Sequence, residues 1–173
     1  IDGARCYIAI SGGLKVKSIF GSKSFFSNIT DSYFLKKNDE IKVSKKSKNK
    51  ILKWDRFNFK LNRSMEVFKG PEFDLLSSNS KNKLFKNEFT ISTNNRMAYN
   101  LVEKLQVGTK SIISSPVLPG SVQLTPSGKM IILHRDCQTT GGYPRILQLN
   151  ISSLNYLSQL KSTDKIKLRL INL

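Results

Sequence analysis

Apolar residues in this chain come in short runs, and most of the regular ones repeat with a period of two. The strictest is Lys165–Leu170, where Ile166, Leu168 and Leu170 share one face and Lys165, Lys167 and Arg169 the other, the pattern of a half-buried strand. Val122–Leu124 and Met130–Leu133 flank Thr125-Pro126-Ser127-Gly128, a tight-turn signal, and so predict a hairpin. Ala4–Ile10, Met65–Phe68, Glu88–Ser92 and Arg145–Ile151 read as further strands, and Asp39–Val43 alternates like an exposed one. Phe57, Phe59 and Leu61 alternate on one face, and Phe25-Phe26 and Tyr33-Phe34-Leu35 are short apolar runs. Helical signals are few. Pro71 suits the first position of a short helix with Glu72 and Asp74 in its first turn, where carboxylates complement the helix dipole. Ser152 or Ser153 is expected to cap a second helix reaching about Gln159 and burying Leu154, Leu157 and Leu160. Many short strands with one or two short helices define a mainly β fold, a barrel or a sandwich.

Ser44–Lys50 interrupts this pattern with four lysines and no apolar side chain, and predicts an exposed linker. Lysine also dominates the charge balance. The formal net charge is +17, from 22 Lys and 7 Arg against 12 acids. A charge of that size raises the possibility of nucleic acid as a partner. Scarce arginine and the lack of an RNA-binding aromatic motif argue instead for a solvated lysine-rich surface, with no specific nucleic-acid partner. Cys6 and Cys137 are too far apart in sequence to read as a zinc site or a disulfide framework, so no metal is expected and a reducing, cytoplasmic setting is. The apolar runs are too short for a membrane span.

Candidate chemistry gathers behind Met130–Leu133, in Asp136-Cys137-Gln138-Thr139-Thr140-Gly141-Gly142-Tyr143-Pro144. Asp136 brings a carboxylate, Gln138 an amide, and Thr139 and Thr140 hydroxyls. Gly141 and Gly142 allow close backbone approach, positive φ, or an anion nest. Tyr143 is held extended by Pro144. Neutral donors and acceptors of this kind suit a lactam, urea or ureido edge, which offers both N–H and C=O. His134 and Asp136 lie two apart, so they can share a strand face as an acid–base pair. The other reading makes His134 structural and Asp136 an acceptor for backbone N–H groups of the Gly141-Gly142 turn. Arg96, after a strand, can clamp a carboxylate bidentately or pair with a structural acid. Gln123, behind Pro119-Gly120-Ser121, can read an amide. Nothing in the chain has the spacing of a P-loop or of a Ser-His-Asp or Cys-His nucleophile.

These segments also carry a resemblance. Asp136-x-Gln138-Thr139-Thr140-Gly141-Gly142-Tyr143-Pro144 resembles the signature of the allophanate hydrolase subunit 2 family, also called the biotin-dependent carboxyltransferase family, which includes the C subunit of 5-oxoprolinase. Four further segments agree in order: Gly21-Ser22-Lys23-Ser24, Gly70-Pro71-Glu72-Phe73-Asp74, Asn95-Arg96-Met97-Ala98-Tyr99 and Pro119-Gly120-Ser121-Val122-Gln123. The chain departs from the family pattern at Asn95, where Asp is usual, at Ala98, where Gly is usual, and at Ser162-Thr163-Asp164, in place of Pro-Gly-Asp.

The resemblance implies cyclophilin-like β-barrel domains. Residues 1–45 would be the last strands of an incomplete N-terminal barrel, residues 55–173 the C-terminal barrel, and the chain the C-terminal portion of a longer protein. It further implies a subunit of an ATP-dependent 5-oxoprolinase-type hydrolase, which opens 5-oxoproline to glutamate with a companion cyclophilin-like subunit and a third hydrolase subunit. Arg96 and Asp136 are then the catalytic candidates, with Gln123, Gln138, Thr139, Thr140, Gly141, Gly142 and Tyr143 binding the small-molecule substrate. The alternatives are a biotin-dependent carboxyltransferase domain, with biotin in place of ATP chemistry, and a non-catalytic module that binds a partner subunit.

Overall fold

The computed structural model describes residues 3–24, 26, 28–30, 35–44, 63–106 and 111–172. Two compact units divide the chain, Ile1–Arg5 with Phe59–Leu173, and Cys6–Asn58. The linker at Ser44–Lys50, apart from Ser44, and the alternation at Phe57, Phe59 and Leu61 lie outside the described residues, as do Phe25, Tyr33 and Phe34.

The larger unit is a β-barrel. In chain order its elements are β1 (Ser64–Lys69), a 3-10 turn (Phe73–Leu75), α1 (Ser78–Lys86), β2 (Glu88–Asn94), β3 (Ala98–Lys104), β4 (Ser115–Pro116), β5 (Ser121–Leu124), β6 (Lys129–Leu133), β7 (Thr140–Gly141), β8 (Arg145–Leu149), α2 (Ile151–Leu157) and β9 (Lys165–Leu170). Seven strands close in the order β1-β8-β5-β6-β3-β2-β9, and β4 and β7 form a separate two-stranded ribbon. All neighbours are antiparallel except β1 and β9, whose parallel pairing from Ser64↔Lys167 to Val67↔Leu170 closes the ring. Closure leaves no barrel strand with an unpaired edge. This is the mainly β barrel with short helices that the sequence implied.

Alternation fills the interior. Met65 and Val67, Phe89 and Ile91, Tyr99 and Leu101, Val122 and Leu124, Met130 and Ile132, and Ile166 and Leu168 all point into one core. Leu154, Leu157 and Leu160 join it from α2 and the turn after it, as their spacing predicted. Leu170, expected inside, is only half-buried at the end of β9. The cap of α2 is Asn150, whose side chain accepts from Ser153 N. Ser153 is not free to cap, because its Oγ accepts from Glu66 N at 2.7 Å and ties the helix to β1. Pro71 does not open an α-helix. The chain makes a single 3-10 turn there, and α1 follows, capped by Ser77 through Ser80 N.

The expected strand over Ala4–Ile10 is absent. Ala4 and Arg5, part of the larger unit, donate their backbone N–H groups to Gln159, while Cys6–Ile10 is exposed with no ladder partner among the described residues. In the smaller unit, Leu14 bridges Val43, and a tight turn pairs Ile19 with Ser22 through Phe20 and Gly21, both with positive φ. The strand expected over Asp39–Val43 is reduced to the one bridge at Val43.

Candidate functional site

At one end of the barrel two turns meet. Asn95-Arg96-Met97 joins β2 to β3, and β6 runs on into His134–Cys137. The β3–β6 pairing, which begins at Ala98↔Leu133, extends beyond both strands. His134 N donates to Met97 O at 2.8 Å, and Asp136 N to Arg96 O at 2.9 Å. This register sets Arg96 beside Asp136. Their side chains meet side-on, with Nε 2.6 Å from Oδ2 and Nη2 3.1 Å from Oδ1. The pair lies at the surface, the arginine side chain 72% exposed and the aspartate 44%.

Asn95 shapes the turn. Its Oδ1 accepts from Met97 N at 2.8 Å and Ala98 N at 2.9 Å, an Asx turn that a carboxylate would make equally well. Replacing the family's Asp with Asn therefore keeps the backbone acceptor, and Asp136 is what holds Arg96.

His134 and Asp136 do not share a face. The strand stops at Leu133, and Cys137 N bonds back to His134 O. The turn buries the imidazole against Tyr99, ring centroids 5.3 Å apart, and leaves Asp136 outside. Burial is the main reason that the imidazole pKa lies below its ordinary value, with Arg5 and Arg135 adding to it.

The polar block beyond Asp136 forms a second group. Thr140 and Gly141 pair with Pro116 and Ser115, Val117 N donates to Thr139 O at 2.9 Å, and Ile112 N to Gly142 O at 2.9 Å. Gln138, Thr139, Thr140 and Tyr143 are exposed. Beneath the block lies Gln123, on the side of β5 opposite Val122 and Leu124 and only 1% exposed. Its amide lies 3.4 Å from Tyr143 O and 3.5 Å from Gln138 Nε2. Gly141 is needed for close approach, since a Cβ there would come 2.6 Å from Gln123 Nε2. Neither Gly141 nor Gly142 has positive φ, so the two do not form the alternating-handed nest that binds anions. Asp136 does not accept from their turn either, because its carboxylate faces Arg96. Among the described residues no hydrogen bond links the Arg96–Asp136 pair to Gln138, Thr139 or Tyr143.

Sequence reasoning missed the clamp at the ribbon's other edge. Arg145 donates to Glu72 through Nε, Nη2 and its backbone N, and to Pro116 O through Nη1 at 2.7 Å. It also missed Ser121 and Gln148, which bond across β5 and β8 at 2.8 Å. Among the described residues no three His, Cys, Asp or Glu side chains gather where they could hold a metal ion. No helix among them is long and apolar enough to cross a membrane.

A closed barrel that presents a surface guanidinium–carboxylate pair and an exposed amide-and-hydroxyl ribbon defines a β-barrel module with polar surface turns. Residues 1–170 match the carboxyltransferase domain, subdomains A and B, and the chain belongs to that family. It is 28% identical over 165 residues to the C subunit of 5-oxoprolinase from Escherichia coli K12, covering 91% of this chain and 53% of that protein. It is 34% identical over 105 residues to the C subunit of 5-oxoprolinase from Haemophilus influenzae Rd, covering 59% of this chain and 34% of that one. The chain thus spans about half the length of the first of these relatives, and less of the second. The fold is shared with the crystal structure of TTHA0988, with a TM-score of 0.64 and 20% identity over 75% of this chain and 26% of that one. It is also shared with the Kluyveromyces lactis urea carboxylase, with a TM-score of 0.59 and 17% identity over 63% of this chain and 11% of that one.

Proposed function

We propose that this chain is part of a 5-oxoprolinase-type assembly that opens 5-oxoproline to glutamate at the expense of ATP, working in the cytoplasm with a companion cyclophilin-like subunit and a third hydrolase subunit. The observation that carries this reading is the match to the 5-oxoprolinase C subunit along 91% of the chain. In this reading residues 1–45 are C-terminal strands of an N-terminal barrel, and residues 55–173 are the C-terminal barrel.

The described residues do not fit ATP. They include no P-loop spacing, and Gly141 and Gly142 make no nest. No step through ATP is therefore assigned to this chain. What its own residues can do is bind and orient. The Arg96–Asp136 pair is exposed, and exposed pairs are worth at most about 1 kcal/mol. Arg96 can exchange Asp136 for the carboxylate of 5-oxoproline at little cost, with the fork geometry that suits a carboxylate. Gln138, Thr139 and Thr140 offer donors and acceptors to the lactam edge, and Gln123 supports the ribbon from below. Orientation of this kind lowers the barrier by fixing the reacting geometry.

The test is glutamate release from 5-oxoproline with ATP, by the reconstituted assembly and by this chain alone. Turnover is expected only from the assembly. Arg96→Ala should reduce it at least about tenfold, as loss of a charged positioning group does, with little change in the urea midpoint. Full turnover by the Arg96→Ala assembly would remove Arg96 from the site. The family's description favours a second reading, biotin-dependent carboxyl transfer. There the exposed amide and hydroxyls would meet the ureido edge of biotin and Arg96 the carboxyl group. Transfer of labelled carboxyl from carboxybiotin by the same preparation distinguishes the two.

A further inference from the structure

His134 is the one buried side chain among the described residues whose polar atoms have no hydrogen-bond partner, at either Nδ1 or Nε2. Buried polar atoms are nearly always satisfied, so a buried imidazole with neither nitrogen bonded to a protein group calls for an account. Its position supplies one. The backbone of His134 joins both halves of the Arg96–Asp136 arrangement, since its N–H bonds Met97 O and its C=O accepts from Cys137 N. The ring packs on Tyr99, whose Oη accepts from Arg5 Nη1 at 2.7 Å, and Arg5 also donates to Ser158 O.

We propose that uncharged His134 is the positioning residue that keeps Arg96 and Asp136 in register, and that its protonation releases the turn and opens the pair. The charges around it support this. Arg5 from the N-terminal segment and Arg135 from its own turn oppose a positive ring, and burial opposes it more strongly. The Arg96 carbonyl and the Asp136 carboxylate act the other way, and burial with the two arginines outweighs them. Tyr99 from β3 offers an aromatic ring whose hydroxyl is already engaged by Arg5. A proton on His134 therefore adds a third cation to a buried site flanked by two, and the ring is driven toward water. The turn that carries Asp136 moves with it.

The functional consequence rests on reading Arg96 and Asp136 as the working pair, but the test needs no turnover. Imidazole resonances and amide exchange of the 173-residue chain are followed from about pH 7.5 to pH 5. His134 should titrate below a free histidine. As it does, protection of the Asp136 and His134 amides, corrected for intrinsic exchange, should fall, while the Met130 and Ile132 amides hold. His134→Leu and His134→Gln should both flatten this profile, and because Asp136 is intact in each they control for its own titration. Protection that stays constant while His134 protonates overturns the proposal, as does an ordinary His134 pKa or the same loss in both variants.

Discussion

Arg145 and Glu72 meet side-on, with Nε 2.9 Å from Oε2 and Nη2 2.7 Å from Oε1, while the Arg145 backbone N–H bonds the same carboxylate at 2.8 Å. Both side chains are more than four-fifths buried. The contact clips the segment after β1 to the start of β8, and Gly70 shows how closely the two run. A Cβ at Gly70 would lie 2.1 Å from the Arg145 carbonyl oxygen.

The clip makes stability depend on acid. Its hydrogen bonds from the Arg145 side chain are the main reason that the Glu72 pKa lies below 4.5. A carboxylate with a depressed folded pKa contributes stability above its unfolded pKa and loses that contribution as the pH falls through the folded one. Glu72→Ala should cost about 2–3 kcal/mol at pH 7, because it strands a mostly buried guanidinium. Glu72→Gln should cost about 1 kcal/mol, since a neutral amide still accepts one bond. Both variants should lose less stability than the parent between about pH 5 and pH 3. Urea unfolding across that range checks this, and parallel pH profiles for parent and variants would refute it.

Thr163 sits at φ 76°, a left-handed conformation, where the family pattern carries glycine. For a β-branched residue that region is strained by about 1–2 kcal/mol. The turn persists because Thr163 N bonds Ile91 O at 2.8 Å and Asp164 Oδ2 accepts from Lys161 N at 2.8 Å. Thr163→Gly relieves the strain but gives an unfolded chain with more freedom, which offsets about half of the gain. A net stabilisation of up to about 1 kcal/mol is expected in thermal or urea unfolding. A loss of stability would show that the threonine makes an interaction worth more than its strain.

The barrel was legible where one face of a strand is apolar and the other polar. Lys165–Leu170 has the predicted bounds, and the hairpin around Thr125–Gly128 follows from its turn residues. α1 was not legible, because Ser78–Lys86 holds only Leu84 and Phe85 as apolar anchors and relies on the Ser77 cap. β3 was hidden by Asn100 and by Glu103, whose carboxylate bonds Thr90 across the sheet. At the candidate site, the Asp136–Tyr143 block and Arg96 could be read as chemistry from residue type alone. That Arg96 faces Asp136 could not, since it depends on the β3–β6 register, which pairs residues 40 positions apart. The Ala4–Ile10 pattern misled because an apolar run reports a strand only where another strand pairs with it, and Cys6–Ile10 has no ladder partner among the described residues.

Gly141 and Gln123 offer a test of the ribbon itself. The ribbon crosses the outer side of β5 with no apolar side chain of its own between Gln138 and Gly142, and Gly141 rests directly on the Gln123 amide. Gly141→Ala places a methyl group 2.6 Å from Gln123 Nε2. The amide has little room to retreat, because it is buried between Tyr143 O and Gln138. The variant should lose about 1–2 kcal/mol, as overpacking does. Gln123→Ala alone should lose a similar amount through its missing contacts and the space left behind. The two changes are not independent, because shortening residue 123 makes room for the new methyl group. Residues in direct contact couple by about 0.5–3 kcal/mol, so the double variant should be more stable than the sum of the single losses by about 1 kcal/mol. Strict additivity in a double-mutant cycle would mean that the ribbon does not lie on Gln123, and would separate the 138–143 block from the barrel face to which it is assigned.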